Sequence, residues 1–212
     1  MSQLLRFNKK QKYILFDVES ESLALLHPLN KPFQLSYLIC EGDQIVKESD
    51  NYIFWADLNM SEEAARVTKF DYLKYKRLAK DPLPILTEFE KYLYDPEYLV
   101  LGQNILGFDV AVHNIYRQIL GFKSDWSYIN RIIDTNALAK AIEKGIKYQK
   151  TDNFTCWMHK LNDYREKGLK TSIKTLLKKY KIEYDENMLH SSIYDVKMNW
   201  EIFKKQIWEI EI

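Results

Sequence analysis

The feature that most constrains the fold is the segment KYILFDVES at positions 12–20. Its apolar residues occupy both alternating faces of an extended chain, whereas a strand with one solvent-facing side alternates strictly between apolar and polar residues. A strand that is apolar on both faces normally lies inside a sheet that is covered on both sides. The segment therefore predicts a central strand of an α/β fold.

The segments that follow this strand indicate a mixed sheet. Two further extended segments, at 32–40 and 44–55, are joined by the turn-forming sequence EGD and favour a hairpin. Beyond them, helical patterns alternate with short apolar strands at 97–104 and 128–134. We expect one domain over residues 1–212 with an α/β fold, in which a mixed central β-sheet is flanked by helices.

Several helix ends can be placed from capping residues. Ser61 is positioned to cap a helix, and Asp134 is positioned to cap the helix that follows the last short strand. The helical spacing that begins near Asp109 stops at Gly121, a residue type common just beyond a helix. A last helix is expected from about Ser192 to Trp208.

Composition excludes several classes of protein. Charged residues make up 29% of the chain and hydrophobic residues 46%, a balance typical of a folded globular protein. The apolar runs are far shorter than a membrane span, and the polar start lacks the apolar block of a secretory signal. We therefore expect a cytoplasmic protein with no membrane partner. Cys40 and Cys156 stand in unrelated contexts, so neither a disulfide framework nor a zinc site is expected.

The net charge of +1 conceals one basic region. Residues 140–181 contain 12 Lys or Arg and 4 Asp or Glu, so this region carries a charge that the rest of the chain offsets. It includes a predicted amphipathic helix in which Lys170, Lys174 and Lys178 lie on one face. These lysines are either a phosphate-binding surface or simply the solvated face of that helix.

Asp17 and Glu19 stand two residues apart at the end of the first strand, so both side chains leave the same face of the sheet. Two carboxylates held this close repel each other unless a cation neutralises them. Hard oxygen ligands of this kind favour Mg²⁺ or Mn²⁺. The alternative is a pair of ordinary acids that reach solvent at a strand end.

Two more acids lie at predicted helix starts. Asp109 follows the strand at 97–104, and Asp195 lies in the first turn of the last helix. Each has an explanation that needs no catalysis: acids interact favourably with the helix dipole, and Ser192 with Asp195 matches a capping box. His190 precedes Asp195 by five positions, a spacing that places it on the approach to the helix rather than on the same helical face.

The order of these pieces resembles a known family. FDVES at 16–20, LGQNILGFD at 101–109 and HSSIYD at 190–195 are similar to the three exonuclease motifs of the DEDD superfamily, in its histidine-containing (DEDDh, DnaQ-like) branch. The similarity extends over nearly the whole chain and is greatest to the exonuclease I type. It implies an RNase H-like fold and a metal-dependent 3′→5′ exonuclease.

The resemblance also implies roles for the site residues. Two ions, Mg²⁺ or Mn²⁺, activate a water and stabilise the leaving 3′-oxygen. Asp17 would bridge both ions, with Glu19 and Asp195 holding the ion that carries the water. Asp109 would support the second ion, and His190 would take the proton from the water near neutral pH.

Substrate contacts are expected from Ser20, Leu23 and Asn104. Leu23 occupies the position that wedges beside the terminal base in relatives. The chain departs from the family where relatives often have Thr-Thr-Gly-Leu, because it has Ser20-Glu21-Ser22-Leu23. Glu21 adds a negative charge near a polyanion, which leaves the details of substrate binding open.

The expected partner is a nucleic acid with a free 3′ end, with single-stranded DNA the leading candidate and a polymerase or another replication protein a possible second partner. Two alternatives remain open at this stage. One is an exonuclease specific for RNA or short oligoribonucleotides, since no residue can be identified that reads a 2′-hydroxyl. The other is a non-catalytic nucleic-acid-binding subunit with the same fold.

Overall fold

The computed structural model describes residues 4–25, 30–189 and 191–212. In these parts of the chain, one sheet contains strands in the order β3-β2-β1-β4-β5. The strands are β1 Lys12–Ser20, β2 Pro32–Glu41, β3 Gln44–Tyr52, β4 Tyr98–Gly102 and β5 Ile132–Asp134. The helices are α1 Glu62–Thr68, α2 Tyr72–Leu78, α3 Pro82–Leu93, α4 Asp109–Ile119, α5 Thr135–Lys144, α6 Phe154–Asp163, α7 Ile173–Tyr180 and α8 Ser192–Glu209.

The strand directions confirm the predicted mixed sheet flanked by helices. β1 pairs antiparallel with β2, and β2 pairs antiparallel with β3. On the other side of β1, β4 and then β5 are added in parallel. The carboxyl ends of β1, β4 and β5 therefore meet at one edge of the sheet.

The two faces of β1 bury different side chains, as its sequence predicts. Ile14, Phe16 and Val18 pack with α3 and α4, and the ring of Phe16 lies 5.0 Å from that of Phe89 in an edge-to-face contact. Fully burying each such side chain is worth roughly 1.5–3 kcal/mol, so this layer holds α3 and α4 firmly against the sheet.

The opposite face of β1 carries Tyr13 and Leu15, which pack with α5 and α8. The ring of Tyr13 lies 5.3 Å from that of Trp200 on α8. A smaller cluster that includes Leu176 and Ile202 fixes α7 on the outer side of α8. Because α8 lies directly against β1, its first turn comes close to the end of that strand.

β3 forms one edge of the sheet and is its most exposed strand. Its charged side chains reach the neighbouring helices: Lys47 pairs with Glu88 of α3 at 2.6 Å, and Glu48 pairs with Lys197 of α8 at 2.6 Å. Helices on opposite sides of the sheet are thus tied to the same strand.

The structure confirms the predicted helix caps at Ser61 and Asp134, whose side chains accept backbone N–H groups of α1 and α5. Pro82 begins α3, directly after the N-cap residue Asp81. Proline suits this position because the first helical N–H has no partner within the helix.

Two segments differ from the prediction. The strand expected at 128–134 has only three residues, because Ile129–Arg131 forms a 3₁₀ turn in which the guanidinium of Arg131 donates to the carbonyls of Leu93, Asp95 and Tyr98. Helix α6 was not predicted. It begins at the N-cap residue Asn153 and buries Trp157 and Met158 against the sheet.

Candidate active site

Asp17 and Glu19 continue the face of β1 that begins with Tyr13 and Leu15, so they point towards α8. Their neighbours Phe16 and Val18 are buried on the other face, whereas the two acids are half-buried. The predicted common orientation of Asp17 and Glu19 follows from this alternation.

Asp109 is the first residue of α4 and is only 5% exposed. Its Oδ1 accepts a hydrogen bond of 2.8 Å from the backbone N–H of Val18, the residue between Asp17 and Glu19. This bond joins the start of α4 directly to the end of β1. It brings the third predicted acid to the first two, which the sequence places 92 and 90 positions earlier.

The first turn of α8 supplies Asp195 and a contact that the sequence did not indicate. Ser192 Oγ donates to Asp17 Oδ2 at 2.6 Å. The capping-box interpretation of Ser192 and Asp195 is wrong, because the N-cap residue is Ser191 and no side chain caps the helix. Ser192 is buried against the acid instead and orients its carboxylate.

The acids are close enough to affect one another's protonation. Burial raises the pKa of Asp17, although the hydrogen bond from Ser192 acts in the opposite direction. Burial, with the charges of Asp17 and Asp195, raises the pKa of Glu19 well above its usual value. Burial and then the charge of Asp17 do the same to the pKa of Asp109. The four acids therefore form one electrostatic cluster.

This cluster suits divalent cations by its chemistry, since all its donors are hard carboxylate oxygens. Within the described residues, no Lys or Arg forms an ion pair with Asp17, Glu19 or Asp109. In the same parts of the chain, no group of three or more Asp, Glu, His or Cys side chains is already arranged so that it could hold a metal ion. By its chemistry the donor set fits such ions, and two of its members are oriented, Asp17 by the hydroxyl of Ser192 and Asp109 by the N–H of Val18.

The loop that precedes Asp109 has a fixed shape. Asn104 adopts a left-handed backbone conformation with φ of 59°, and its side chain lies over Gly107. A Cβ atom at Gly107 would lie 2.7 Å from Asn104 Oδ1, so a larger residue there would displace the side chain of Asn104. The carboxylate of Asp134 accepts the backbone N–H groups of Asn104 and Leu106, both at 3.1 Å.

The residues expected to contact substrate differ in exposure. Leu23 is 41% exposed beyond the end of β1, and Asn104 is exposed beyond the end of β4. Ser20 is buried, and its hydroxyl donates to the carbonyl of Ser22 at 2.9 Å. The contacts of these three residues with a substrate stay predictions.

The carboxylate of Glu21 is turned away from solvent. It is buried, accepts the N–H of Asn59 at 2.8 Å, and lies 3.7 Å from Lys31 Nζ. The negative charge that the sequence places beside the substrate path is thus compensated by Lys31. His190 lies outside the described residues, so its predicted role as general base stays a prediction.

The predicted basic face of α7 is partly neutralised. Leu176 and Leu177 are buried as expected, and Lys178 is exposed. The prediction that Lys170 lies on this helix is wrong, because α7 begins only after the N-cap residue Ser172 and Lys170 is an exposed residue before it. Lys174, however, forms an ion pair with Glu186. One of the three lysines considered as phosphate contacts is therefore already paired.

The sheet topology places the acids at a natural binding crevice. From β1 the chain leads to β2 on one side, and from β4 it leads to β5 on the other. Ligands of α/β sheets bind outside the carboxyl ends of strands where the connections diverge in this way. Asp17, Glu19 and the Asn104 loop lie at this point.

The sheet topology and the acids from β1, α4 and α8 define an α/β protein with a carboxylate cluster at the carboxyl ends of its parallel strands. The sequence identifies the family to which it belongs. A family model for exonucleases of the RNase T type matches residues 14–203. The chain belongs to this exonuclease family, which confirms the resemblance inferred from its three motifs.

Solved structures of Escherichia coli exonuclease I share the fold. The complex with a dA16 oligonucleotide has a TM-score of 0.70 and 17% identity, and the match covers 92% of this chain and 40% of that one. The complex with a dT13 oligonucleotide has a TM-score of 0.71 and 16% identity, with coverage of 92% and 41%. A zinc-bound exonuclease I–ssDNA complex has a TM-score of 0.70 and 15% identity, with coverage of 92% and 40%.

These similarities establish the RNase H-like fold of exonuclease I. The chain spans about 40% of the length of the exonuclease I chains that it matches. A comparison with curated protein sequences gives no significant match. In the described part of the chain, no helix is both long and apolar enough to cross a membrane.

Proposed function

We propose that residues 1–212 form a single DEDDh-type exonuclease domain that hydrolyses nucleic acid from the 3′ end with the help of divalent metal ions. The observation that carries this proposal is the convergence of Asp17, Glu19, Asp109 and Asp195 from three separate elements into one electrostatic cluster. Crowded, partly buried carboxylates are costly without a cation, so a structural role alone accounts for them poorly.

Exonucleases of this family depend on divalent metal ions. Asp17, Glu19, Asp109 and Asp195 would hold two ions, either Mg²⁺ or Mn²⁺, which when bound activate water and stabilise the leaving oxygen. The protein contributes orientation: Ser192 holds one oxygen of Asp17, and the Val18 N–H holds one oxygen of Asp109. Fixed carboxylates lower the reorganisation needed during the reaction.

Three further residues complete the proposed mechanism. His190 accepts the proton of the attacking water, as an imidazole with a pKa of about 6.5 can do near neutral pH. The exposed side chain of Leu23 packs beside the terminal base, and Asn104 contacts the terminal nucleotide. A contact of the substrate with Ser20 stays a prediction from the sequence, since the hydroxyl of Ser20 already donates to the carbonyl of Ser22.

Single-stranded DNA is the best-supported substrate, because the structural relatives are exonuclease I bound to DNA oligonucleotides. RNA is the alternative within the same chemistry. A non-catalytic subunit is disfavoured by the complete set of acids. A polymerase or replication partner and a cytoplasmic location stay predictions from the sequence.

The test is a digest of end-labelled single-stranded DNA, duplex DNA and RNA with Mg²⁺ or Mn²⁺. We expect mononucleotides to be released from free 3′ ends, and a strand with a 3′-phosphate or a closed circle to be spared. Asp17→Asn should abolish hydrolysis, because it removes one of the proposed metal ligands.

Asp43→Asn is the matched control. It removes one carboxylate in the exposed β2–β3 turn, at the end of the sheet opposite the acid cluster. Cleavage of closed circles would indicate an endonuclease. Activity of Asp17→Asn within a few-fold of wild type would refute the assignment of the site.

A further inference from the structure

A polar cavity adjoins the Asn104 loop of the candidate active site. It has a volume of about 280 Å³ and lies between the start of α5 and the loop that follows α6. We call it the α5–α6 pocket, and its polar walls include Asn104, Asn136, Lys140, Asn162, Arg165 and Thr171. Only Asn104 among them belongs to the candidate active site.

The pocket adjoins that site through the sheet. Asn104 follows β4, and Asn136 is the second residue of α5 after β5. Since neighbouring strands lie 4.7–4.9 Å apart, the end of β5 is about 10 Å from β1, which carries Asp17 and Glu19. A few nucleotides of a strand span this distance, at about 3.4 Å for each nucleotide in a stacked strand.

The walls of the pocket are held by a chain of hydrogen bonds. Thr171 Oγ1 donates to Asn136 Oδ1 at 2.6 Å, and Asn136 Nδ2 donates to Asn162 Oδ1 at 2.9 Å. Asn162 Nδ2 donates in turn to Asp134 Oδ2 at 2.7 Å. Because Asp134 also holds the Asn104 loop, the pocket and the active-site loop share one rigid network.

Two cations line the same wall. Lys140 Nζ is buried and donates to the carbonyls of Asn162 and Tyr164, at 2.7 and 3.2 Å. Arg165 binds the same two carbonyls through Nη1 alone, and among the described residues its Nε and Nη2 make no hydrogen bond. Among the described residues, neither cation forms an ion pair with a carboxylate.

The acid at the rim does not cancel this charge. Glu166 forms an ion pair with Lys144, outside the pocket, and accepts a hydrogen bond from Tyr164. In the described part of the chain, neither Lys140 nor Arg165 is therefore neutralised by an ion pair, and Arg165 adds an exposed planar guanidinium to the lining of the pocket. This is the arrangement that suits a phosphate group.

We propose that the α5–α6 pocket binds a phosphodiester of the substrate strand on the 5′ side of the scissile bond, with Arg165 as its principal contact. The proposal rests on the proposed function, because it requires the 3′ end of the strand to lie at the acid cluster. The rest of the strand then extends from the cluster towards the pocket. The pocket then acts as a second anchor that favours strands over single nucleotides.

The experiment compares Arg165→Gln with Lys160→Gln. Both remove one positive charge from the same region, but Lys160 is an exposed residue of α6 outside the pocket. We expect Arg165→Gln to raise KM for oligothymidylate by roughly 3- to 10-fold and to raise KM for the p-nitrophenyl ester of thymidine 5′-phosphate much less. Binding of labelled oligothymidylate in EDTA should lose about 0.7 of its logarithmic salt slope, the value for one single-strand phosphate contact.

Two results would overturn the proposal. One is an unchanged salt slope in Arg165→Gln, and the other is an equal rise in KM for the ester and the oligonucleotide, which would indicate a site for the released nucleotide. Hydrolysis of neither substrate by the wild type would contradict the proposed function instead. The salt slope measured in EDTA would still decide the role of the pocket, because it needs no turnover.

Discussion

At the scale of single residues, the site depends on acids kept in an unfavourable position. Glu19 shows this most directly, because burial and the charges of Asp17 and Asp195 all raise its pKa. A group of this kind lowers the stability of the metal-free fold whenever it is ionised. The same crowded negative charge attracts a cation. The charge that destabilises the metal-free fold therefore favours metal binding.

Glu19→Gln should therefore abolish hydrolysis and yet stabilise the metal-free protein. Removing one negative charge from the cluster relieves repulsion worth on the order of 1 kcal/mol, which corresponds to a rise in Tm of about 2–4 °C. Thermal unfolding in EDTA measures this effect. Glu41→Gln, at an exposed strand end, should change Tm little, and a lower Tm for Glu19→Gln would contradict the account of the cluster.

A variant of His190 tests whether this residue takes part in the reaction or only stabilises the fold. As general base, it should be dispensable for DNA binding, so His190→Ala should lower the single-turnover rate by roughly 10²- to 10⁴-fold with binding retained. The wild-type rate should fall on the acid side as the imidazole is protonated. A lower Tm with an unchanged rate would instead assign His190 a structural role.

At the scale of elements, the residue that caps α5 also holds the loop that leads to the candidate active site. The buried carboxylate of Asp134 caps α5 by accepting the N–H groups of Asn136 and Ala137, and also accepts those of Asn104 and Leu106. One side chain thus ends a strand, begins a helix and shapes the loop that leads to Asp109.

Asp134→Ala should destabilise the fold by about 2–4 kcal/mol, since it removes a cap and leaves buried donors without acceptors. Asp134→Asn should fail to restore activity per folded molecule, because either orientation of its amide would place an N–H group against existing donors. These donors are Leu106 N–H and Asn162 Nδ2 at one oxygen position, and the N–H groups of Asn104, Asn136 and Ala137 at the other. Urea unfolding and kcat measure the two effects. Asp81→Ala removes the cap of α3 and should cost about 1 kcal/mol with kcat retained.

Helix α4 carries a pH-sensitive contact one helical turn beyond Asp109. The ring of His113 is buried between Tyr128 Oη and Glu90 Oε1, each at 2.9 Å, and the side chain of Arg117 pairs with the same carboxylate. Burial lowers the pKa of His113, against the influence of Glu90. The unfolded chain thus takes up a proton at a higher pH than the folded chain does.

The contribution of His113 to the stability of the wild type should therefore fall as the pH drops below about 6.5, the pKa of an unfolded histidine, whereas the raised pKa values of the acid cluster act in the opposite direction. His113→Gln should show a weaker dependence between this pH and the lowered pKa of the folded state. His159→Gln, at an exposed position of α6, should keep the wild-type slope. Urea unfolding at several pH values tests this, and equal slopes in all three proteins would contradict it.

The elements that could be predicted from sequence are those whose own pattern decides their structure. β1 was predicted because it is apolar on both faces, and α8 because its apolar stripe repeats at helical spacing. β5 was predicted too long because Arg131 binds distant carbonyls, a tertiary contact with no local signal. The contact between Ser192 and Asp17 was missed for the same reason, since its partners are 175 positions apart.

At the scale of the whole molecule, metal binding and folding should be linked. Mg²⁺ at roughly 100 times its Kd should stabilise the fold by about 2.7 kcal/mol for one site, or about 5–10 °C in Tm. Asp109→Asn should reduce this shift, and Asp43→Asn should retain it. Thermal unfolding across a Mg²⁺ titration measures the effect, and a Tm of the wild type that does not respond to Mg²⁺ would argue against a metal site.

The charged edge of the sheet has a consequence for the behaviour of the protein at high concentration. An open edge strand is a template on which another chain can add its own strand, and continued addition leads to aggregates. On β3, Lys47 and Glu48 are held by Glu88 and Lys197 on opposite sides of the sheet. A foreign strand would have to approach these fixed charges and bury them. The ion pairs that tie the helices to the sheet therefore also protect the exposed edge from pairing with other chains.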